Sequence, residues 1–202
     1  MKNVTGWFVY QNIVAQQHED VGGVFKELFE NTKPKQVLEI GTASGGLTLM
    51  LRDILNDLTL NDTTLRTYDV IEKHYLNSHV ESGANIEIII KDVFNHSYTE
   101  LVEVEEISSY IQRDGTTIVL CDGGSKKNEF RILSKLLKEG DIIMAHDYSP
   151  NENYFNEHIN NKVWNWLEIQ DSDINNSCIE NNLQPYMSEE FKQVVWVCKK
   201  KV

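Results

Sequence analysis

Residues 37–55 read VLEIGTASGGLTLMLRDIL. A short apolar segment passes through Gly41, Gly45 and Gly46 into Leu47, Met50, Leu51, Ile54, Leu55 and Leu58, which recur at the three-four spacing of one helix face. The stretch therefore reads as a strand turning sharply into a helix. Glycine costs chain entropy but allows tight turns and close approach of the backbone to a neighbour or a ligand. The question it raises is what approaches this loop.

Outward from that junction, apolar runs recur at Gln36–Ile40, Leu65–Val70, Ile86–Lys91, Thr117–Cys121 and Asp141–Ala145. Segments with helical spacing separate them, such as Phe130, Leu133, Leu136 and Leu137. Strands alternating with helices predict βαβ units, hence an α/β fold with a doubly wound, mostly parallel sheet. Before the first strand, Val14–Glu30 reads as a helix covering one sheet face. After Asp147 the pattern predicts a strand at Trp164–Ile169, a helix near Ser172–Asn182 and an antiparallel last strand at Gln193–Lys199.

The chain has 202 residues, 41% of them hydrophobic and 25% charged, with no Pro-, Ser- or Gly-rich linker. A single domain over 1–202 is expected: a helical cap at 1–35, a core at 36–148, and a substrate loop with closing strands at 149–202. No run reaches the roughly 18 apolar residues of a membrane span, and the N-terminus lacks the pattern of an export signal. A net charge of −12 opposes a nucleic-acid partner, which would need clustered Lys and Arg. Cys121, Cys178 and Cys198 show no CxxC spacing and no even count, which fits reduced thiols and a cytoplasmic location. A homo-oligomer is compatible with all of this.

In an open α/β sheet the ligand lies beyond the carboxyl ends of the strands. Those ends are acidic here: Glu39 before the loop, then Asp69, Asp92, Asp122, and the pair His146-Asp147. The loop lacks the middle glycine of a G-x-G-x-x-G dinucleotide fingerprint and the GKS or GKT of a P-loop. Glu39, just before the loop, would repel phosphates and suit a cationic ligand, such as one carrying an ammonium and a sulfonium.

On Val37–Gly45 and the ordered acids that follow, the sequence resembles the class I S-adenosylmethionine-dependent methyltransferases, over roughly Val37 to Tyr148. The resemblance implies a Rossmann-like fold and S-adenosylmethionine as cofactor. It places Glu39, Gly41, Thr42, Ser44 and Gly45 around the methionine part, Asp69 and Val70 at the ribose, Asp92 and Val93 (or Phe94) at the adenine, and Asp122 beside the cofactor.

The segments around Asp122 and around His146-Asp147-Tyr148 resemble the cation-dependent O-methyltransferases, including the macrocin O-methyltransferase and cephalosporin hydroxylase-like group. That resemblance implies a metal at Asp122, His146 and Asp147, with Mg2+ or Mn2+ as the expected ion. His146 replaces an acid common in that group and would favour a softer ion, Mn2+ or Zn2+. Gly124 stands where a second Asp is frequent. Lys126 or Lys127 is expected to take the acceptor's proton, with Asp122 as the further catalytic group. His18, His74, His79, His96 and His158 read as surface residues. Trp7, Trp164, Trp166 and Trp196 suit either packing or a planar or hydroxylated acceptor.

The expected activity is methyl transfer to a small-molecule hydroxyl. The alternatives are a methyltransferase of a macromolecule, and a cofactor-binding protein with a hydrolytic or binding role.

Overall fold

The computed structural model describes residues 7–76 and 86–202; His79 lies outside them. A hairpin of β1 (Phe8–Tyr10) and β2 (Ile13–Ala15) precedes α1 (Val21–Thr32), β3 (Gln36–Ile40), α2 (Gly46–Asp57), β4 (Thr64–Asp69) and β5 (Ile86–Ile90). Next come α3 (Val104–Ile111), β6 (Thr117–Cys121), α4 (Lys126–Leu133), β7 (Ile142–Ala145) and a short α5 (Glu152–Tyr154) running into a π-type turn. The chain ends with α6 (Asp171–Glu180), β8 (Leu183–Pro185), α7 (Ser188–Gln193) and β9 (Val197–Lys201).

Seven strands form one sheet in the order β5-β4-β3-β6-β7-β9-β8. The first five pair in parallel, and β9 runs antiparallel to both β7 and β8. The five central apolar runs are strands, and the antiparallel closing strand is present. Every residue of β3, β6 and β7 is buried, which is why those runs are mostly apolar rather than alternating, with Gln36, Glu39 and Thr117 as the buried polar exceptions. Leu38, Ile40, Val119 and Cys121 pack with residues of α3 and α4, while Val37, Ile118 and Leu120 pack with residues of α1 and α2. Within this sheet the chain enters at β3, works outward to β5, then returns to β6 on the other side. The carboxyl ends of β3 and β6 thus form the switch point where such sheets bind ligands.

Several boundaries differ from the sequence reading. Val14 lies in β2 and the leading helix begins only at Val21. Gln11 and Asn12, both with positive φ, make the two-residue hairpin turn. Trp164–Ile169 is not a strand, because its backbone makes only single bridges, Trp164 to Asn160 and Ile169 to Tyr148. The last strand is shifted to Val197–Lys201, since α7 takes up Ser188–Gln193, and the edge strand β8 escaped notice because it is three residues long.

The glycines of the opening stretch answer first to protein. A Cβ at Gly41, whose φ is +95°, would lie 2.4 Å from the carbonyl oxygen of Asp122, so the ends of β3 and β6 meet only through glycine. A Cβ at Gly46 would lie 2.6 Å from the Val14 carbonyl oxygen, so the hairpin seats directly on the start of α2.

Candidate functional site at the strand ends

A cavity of about 270 Å³ opens over the carboxyl ends of β3, β4 and β5. Gly41, Asp69, Val70, Asp92, Val93 and Asp122 line it, as do Phe94 and Tyr98, which stack with ring centroids 5.7 Å apart. Asp69 also ties the glycine loop down, because its two oxygens accept the Ala43 and Ile71 N–H groups at 2.8 Å each. Asp92 is exposed and accepts the Phe94 N–H at 3.1 Å. Two carboxylates flanking an apolar wall of Val93 and Phe94 suit a nucleoside, with hydroxyls at one end and a flat ring at the other. The donor chemistry therefore fits S-adenosylmethionine.

Four residues expected at the cofactor are not on the cavity wall. Glu39 is fully buried beneath the loop, where it accepts a hydrogen bond from Thr48 at 2.6 Å. Thr42 is buried against Thr67, with the hydroxyls 2.6 Å apart. The Ser44 carbonyl accepts from Tyr75, and Gly45 faces Leu76. These residues shape the loop. Gly124 has a steric reason: a Cβ there would sit 2.3 Å from the Tyr98 hydroxyl.

A second cavity of about 320 Å³ adjoins the first and shares Ala43, Asp122 and Gly123 with it. Its walls include Trp7, Trp166, Lys126, His146, Asp147 and Glu168. Neighbouring parallel strands β6 and β7 deliver Asp122 and His146, joined by a hydrogen bond from the His146 N–H to the Cys121 carbonyl. Asp147 sits at positive φ, +56°, and its carbonyl accepts the N–H of Glu168, which draws that acid to the site.

Asp122, His146 and Asp147 converge, each offering an atom within 4.8 Å of the others. Each of the four carboxylate oxygens already meets a protein group, however. Asp122 accepts from Gln17 at 2.7 Å and faces His146 Nδ1 at 3.1 Å. Asp147 accepts from Trp164 Nε1 at 2.5 Å on one oxygen and lies 3.0 Å from Lys126 Nζ on the other. His146 is held between Trp164 and Trp196, with ring centroids 5.0 and 4.9 Å away. Among the described residues its Nε2 has no hydrogen-bond partner. A carboxylate oxygen can accept a hydrogen bond and still ligate; what makes this arrangement a poor fit for a resident divalent ion is the Lys126 ammonium, 3.0 Å from Asp147 and 3.8 Å from Asp122, which would repel it.

Lys126 is buried and lies 3.0 Å from both Asp147 and Glu168 and 3.8 Å from Asp122. Burial pulls its pKa down, but Asp122, Asp147 and Glu168 together raise it above the ordinary lysine value. A lysine held protonated in this way is no general base, which corrects that expectation. Lys127 is half-exposed and pairs with Asp173 at 3.0 Å, outside both cavities. Asp147 remains ionised: burial alone would raise its pKa, but His146, Lys126 and Trp164 bring it below the usual carboxylate value.

Sequence reading missed Gln17, which is buried, donates to Asp122 and accepts from Trp196 Nε1 at 2.8 Å. It also missed Glu168. Both reach the site from irregular segments, where no periodic signal marks them. Trp164 and Trp196 are packed in the interior, whereas Trp7 and Trp166 are 50% and 41% exposed and stack 6.0 Å apart at the cavity mouth. His74, His96 and His158 are exposed and His18 is half-buried.

No family model matches the chain, and no curated protein matches it in sequence. Solved structures do. A form of CmcI with magnesium and S-adenosylmethionine aligns with 96% of this chain and 76% of its own, at 15% identity and a TM-score of 0.63. An S-adenosylmethionine-dependent O-methyltransferase from Thermotoga maritima aligns with 91% of this chain and 65% of its own, at 12% identity and 0.53. A tRNA methyltransferase from Aquifex aeolicus aligns with 91% and 68%, at 16% and 0.50. This chain has the fold of the class I S-adenosylmethionine-dependent methyltransferases. That fold serves small and large acceptors alike, so the acceptor is a matter for the site.

Proposed function

We propose that this protein transfers a methyl group from S-adenosylmethionine to a hydroxyl of a small-molecule acceptor. The observation that carries this reading is the junction of the two cavities at Ala43, Asp122 and Gly123. One cavity has the carboxylates and apolar wall for a nucleoside; the other is concave, aromatic at its mouth and acidic at its floor. Two of the structural neighbours named above, one a form holding S-adenosylmethionine and one an S-adenosylmethionine-dependent O-methyltransferase, support the cofactor and the transfer to oxygen.

Bound in the first cavity, S-adenosylmethionine would supply an electrophilic methyl, whose bond to sulfur breaks as the acceptor oxygen bonds to carbon. The protein's part is placement and proton removal. Asp69 and Asp92 hold the two ends of the nucleoside. Asp122, on the shared edge, accepts the proton of the acceptor hydroxyl, while Gln17 and His146 keep its carboxylate aimed there. Trp7 and Trp166 flank the acceptor and exclude water.

Isothermal titration with S-adenosylmethionine tests the cofactor half. Asp92→Ala should lose roughly tenfold to over 100-fold in affinity, as a hydrogen bond to a charged acceptor is removed. Unchanged affinity in that variant would refute the placement. Tight cofactor binding with no methylated product from a panel of catechols and sugars would favour a binding role instead.

A further inference from the structure

We infer that the ammonium of Lys126 is the resident cation of the second cavity, pinning Asp122 and Asp147 in the arrangement a divalent ion would otherwise impose. Lys126 is then a positioning residue, and the site works without added metal.

Three observations combine. First, the ammonium has three protons and three acceptors: Asp147 Oδ2 at 3.0 Å, Glu168 Oε2 at 3.0 Å and the Gly123 carbonyl at 3.2 Å. Second, the side chain is 8% exposed and reaches the point between the two carboxylates, with Asp122 Oδ1 at 3.8 Å. Third, the remaining carboxylate oxygens face Gln17, His146 and Trp164. A divalent ion bridging the two acids would have to displace the ammonium that lies 3.0 Å from Asp147 and 3.8 Å from Asp122. A fixed positive charge at this place holds both acids oriented without dehydrating an ion.

Lys126 is the first residue of α4, four residues after Asp122, and so lies over the end of β6. An asparagine or serine there would be too short to span the two acids.

The claim about metal-free transfer rests on the proposed methyltransferase function; the claim about the cation does not. The test is manganese titration of the full chain, followed by electron paramagnetic resonance of free Mn2+ and by thermal unfolding. Wild type should hold no Mn2+ and show no thermal shift, and its transfer rate should be unchanged in excess chelator. Lys126→Met should bind Mn2+ on the order of tenfold or more tighter than wild type, because it uncovers two carboxylates. Lys126→Arg should restore the indifference to Mn2+. Stoichiometric Mn2+ on the wild type would overturn the inference, whether or not the variants fold. So would a folded Lys126→Met with no gain in Mn2+ binding. Titration with S-adenosylhomocysteine runs alongside: if wild type fails to bind it, the methyltransferase reading falls while the manganese result still decides the role of Lys126.

Discussion

Glu39 carries a carboxyl into a position with no exposure, next to a loop that must stay close-packed. Burial raises its pKa from 4.5 to about 7, with Thr48 and Thr67 pulling it back and Asp122 and Asp69 pushing it further up. The folded protein therefore binds this proton more tightly than the unfolded chain does. The stability it confers is full below pH 4.5 and is lost as pH rises through about 7. A shift of this size amounts to roughly 3 kcal/mol. Glu39→Gln, which keeps an oxygen for Thr48, should be the more stable protein at pH 8 and should flatten the decline between pH 5 and 8. Urea midpoints at the two pH values check it; an equal decline in both proteins would mean that another group carries the dependence. Glu129, also raised to about 7 by burial and holding the Gly123 and Ser125 N–H groups, contributes the part of the decline that remains.

The contact between the β1–β2 hairpin and α2 depends on a single missing side chain. Alanine in place of glycine in an open helix stabilises by about 0.5–1 kcal/mol, yet at Gly46 the added Cβ would meet the Val14 carbonyl oxygen at 2.6 Å and the Ala15 nitrogen at 2.7 Å. Backbone cannot yield as a side chain can, so Gly46→Ala should destabilise by about 1–3 kcal/mol. Thermal unfolding gives the sign, and faster amide exchange over Phe8–Ala15 gives the location. A stabilised variant would show that the hairpin does not seat there. The same elements show what was legible beforehand. The β3–α2 junction and the acids at the ends of β4, β5, β6 and β7 announce themselves, because strand periodicity fixes where each strand stops and the sheet then brings the stops together. Gln17 and Glu168 do not announce themselves. Gln17 is placed by Trp196, 179 residues away in sequence, and Glu168 by a backbone hydrogen bond to Asp147. Lys126 was visible, but its charge state was not, since that depends on three acids brought together from different segments.

At the scale of the whole molecule, the switch between β3 and β6 divides the ligand-facing side into two halves with separate origins. The half over β3, β4 and β5 is built from strand ends and belongs to the shared fold. The other half joins strand ends to segments outside the alternating strands and helices, Trp7 and Gln17 from before α1 and Trp164–Glu168 from after β7. Changes in the second group should therefore alter acceptor use without touching the cofactor. Trp166 is the cleanest probe, because it is 41% exposed, stacks on Trp7 at 6.0 Å and lines the second cavity but not the first. Losing one aromatic contact of this kind costs about 0.5–1.5 kcal/mol. Trp166→Ala should accordingly raise KM for the acceptor by about two- to tenfold, with S-adenosylmethionine affinity unchanged. Steady-state kinetics on whichever catechol or sugar proves to be methylated, paired with cofactor titration, separates the two quantities. If cofactor affinity falls in step with KM, the two cavities act as one binding unit and the division at Asp122 is wrong.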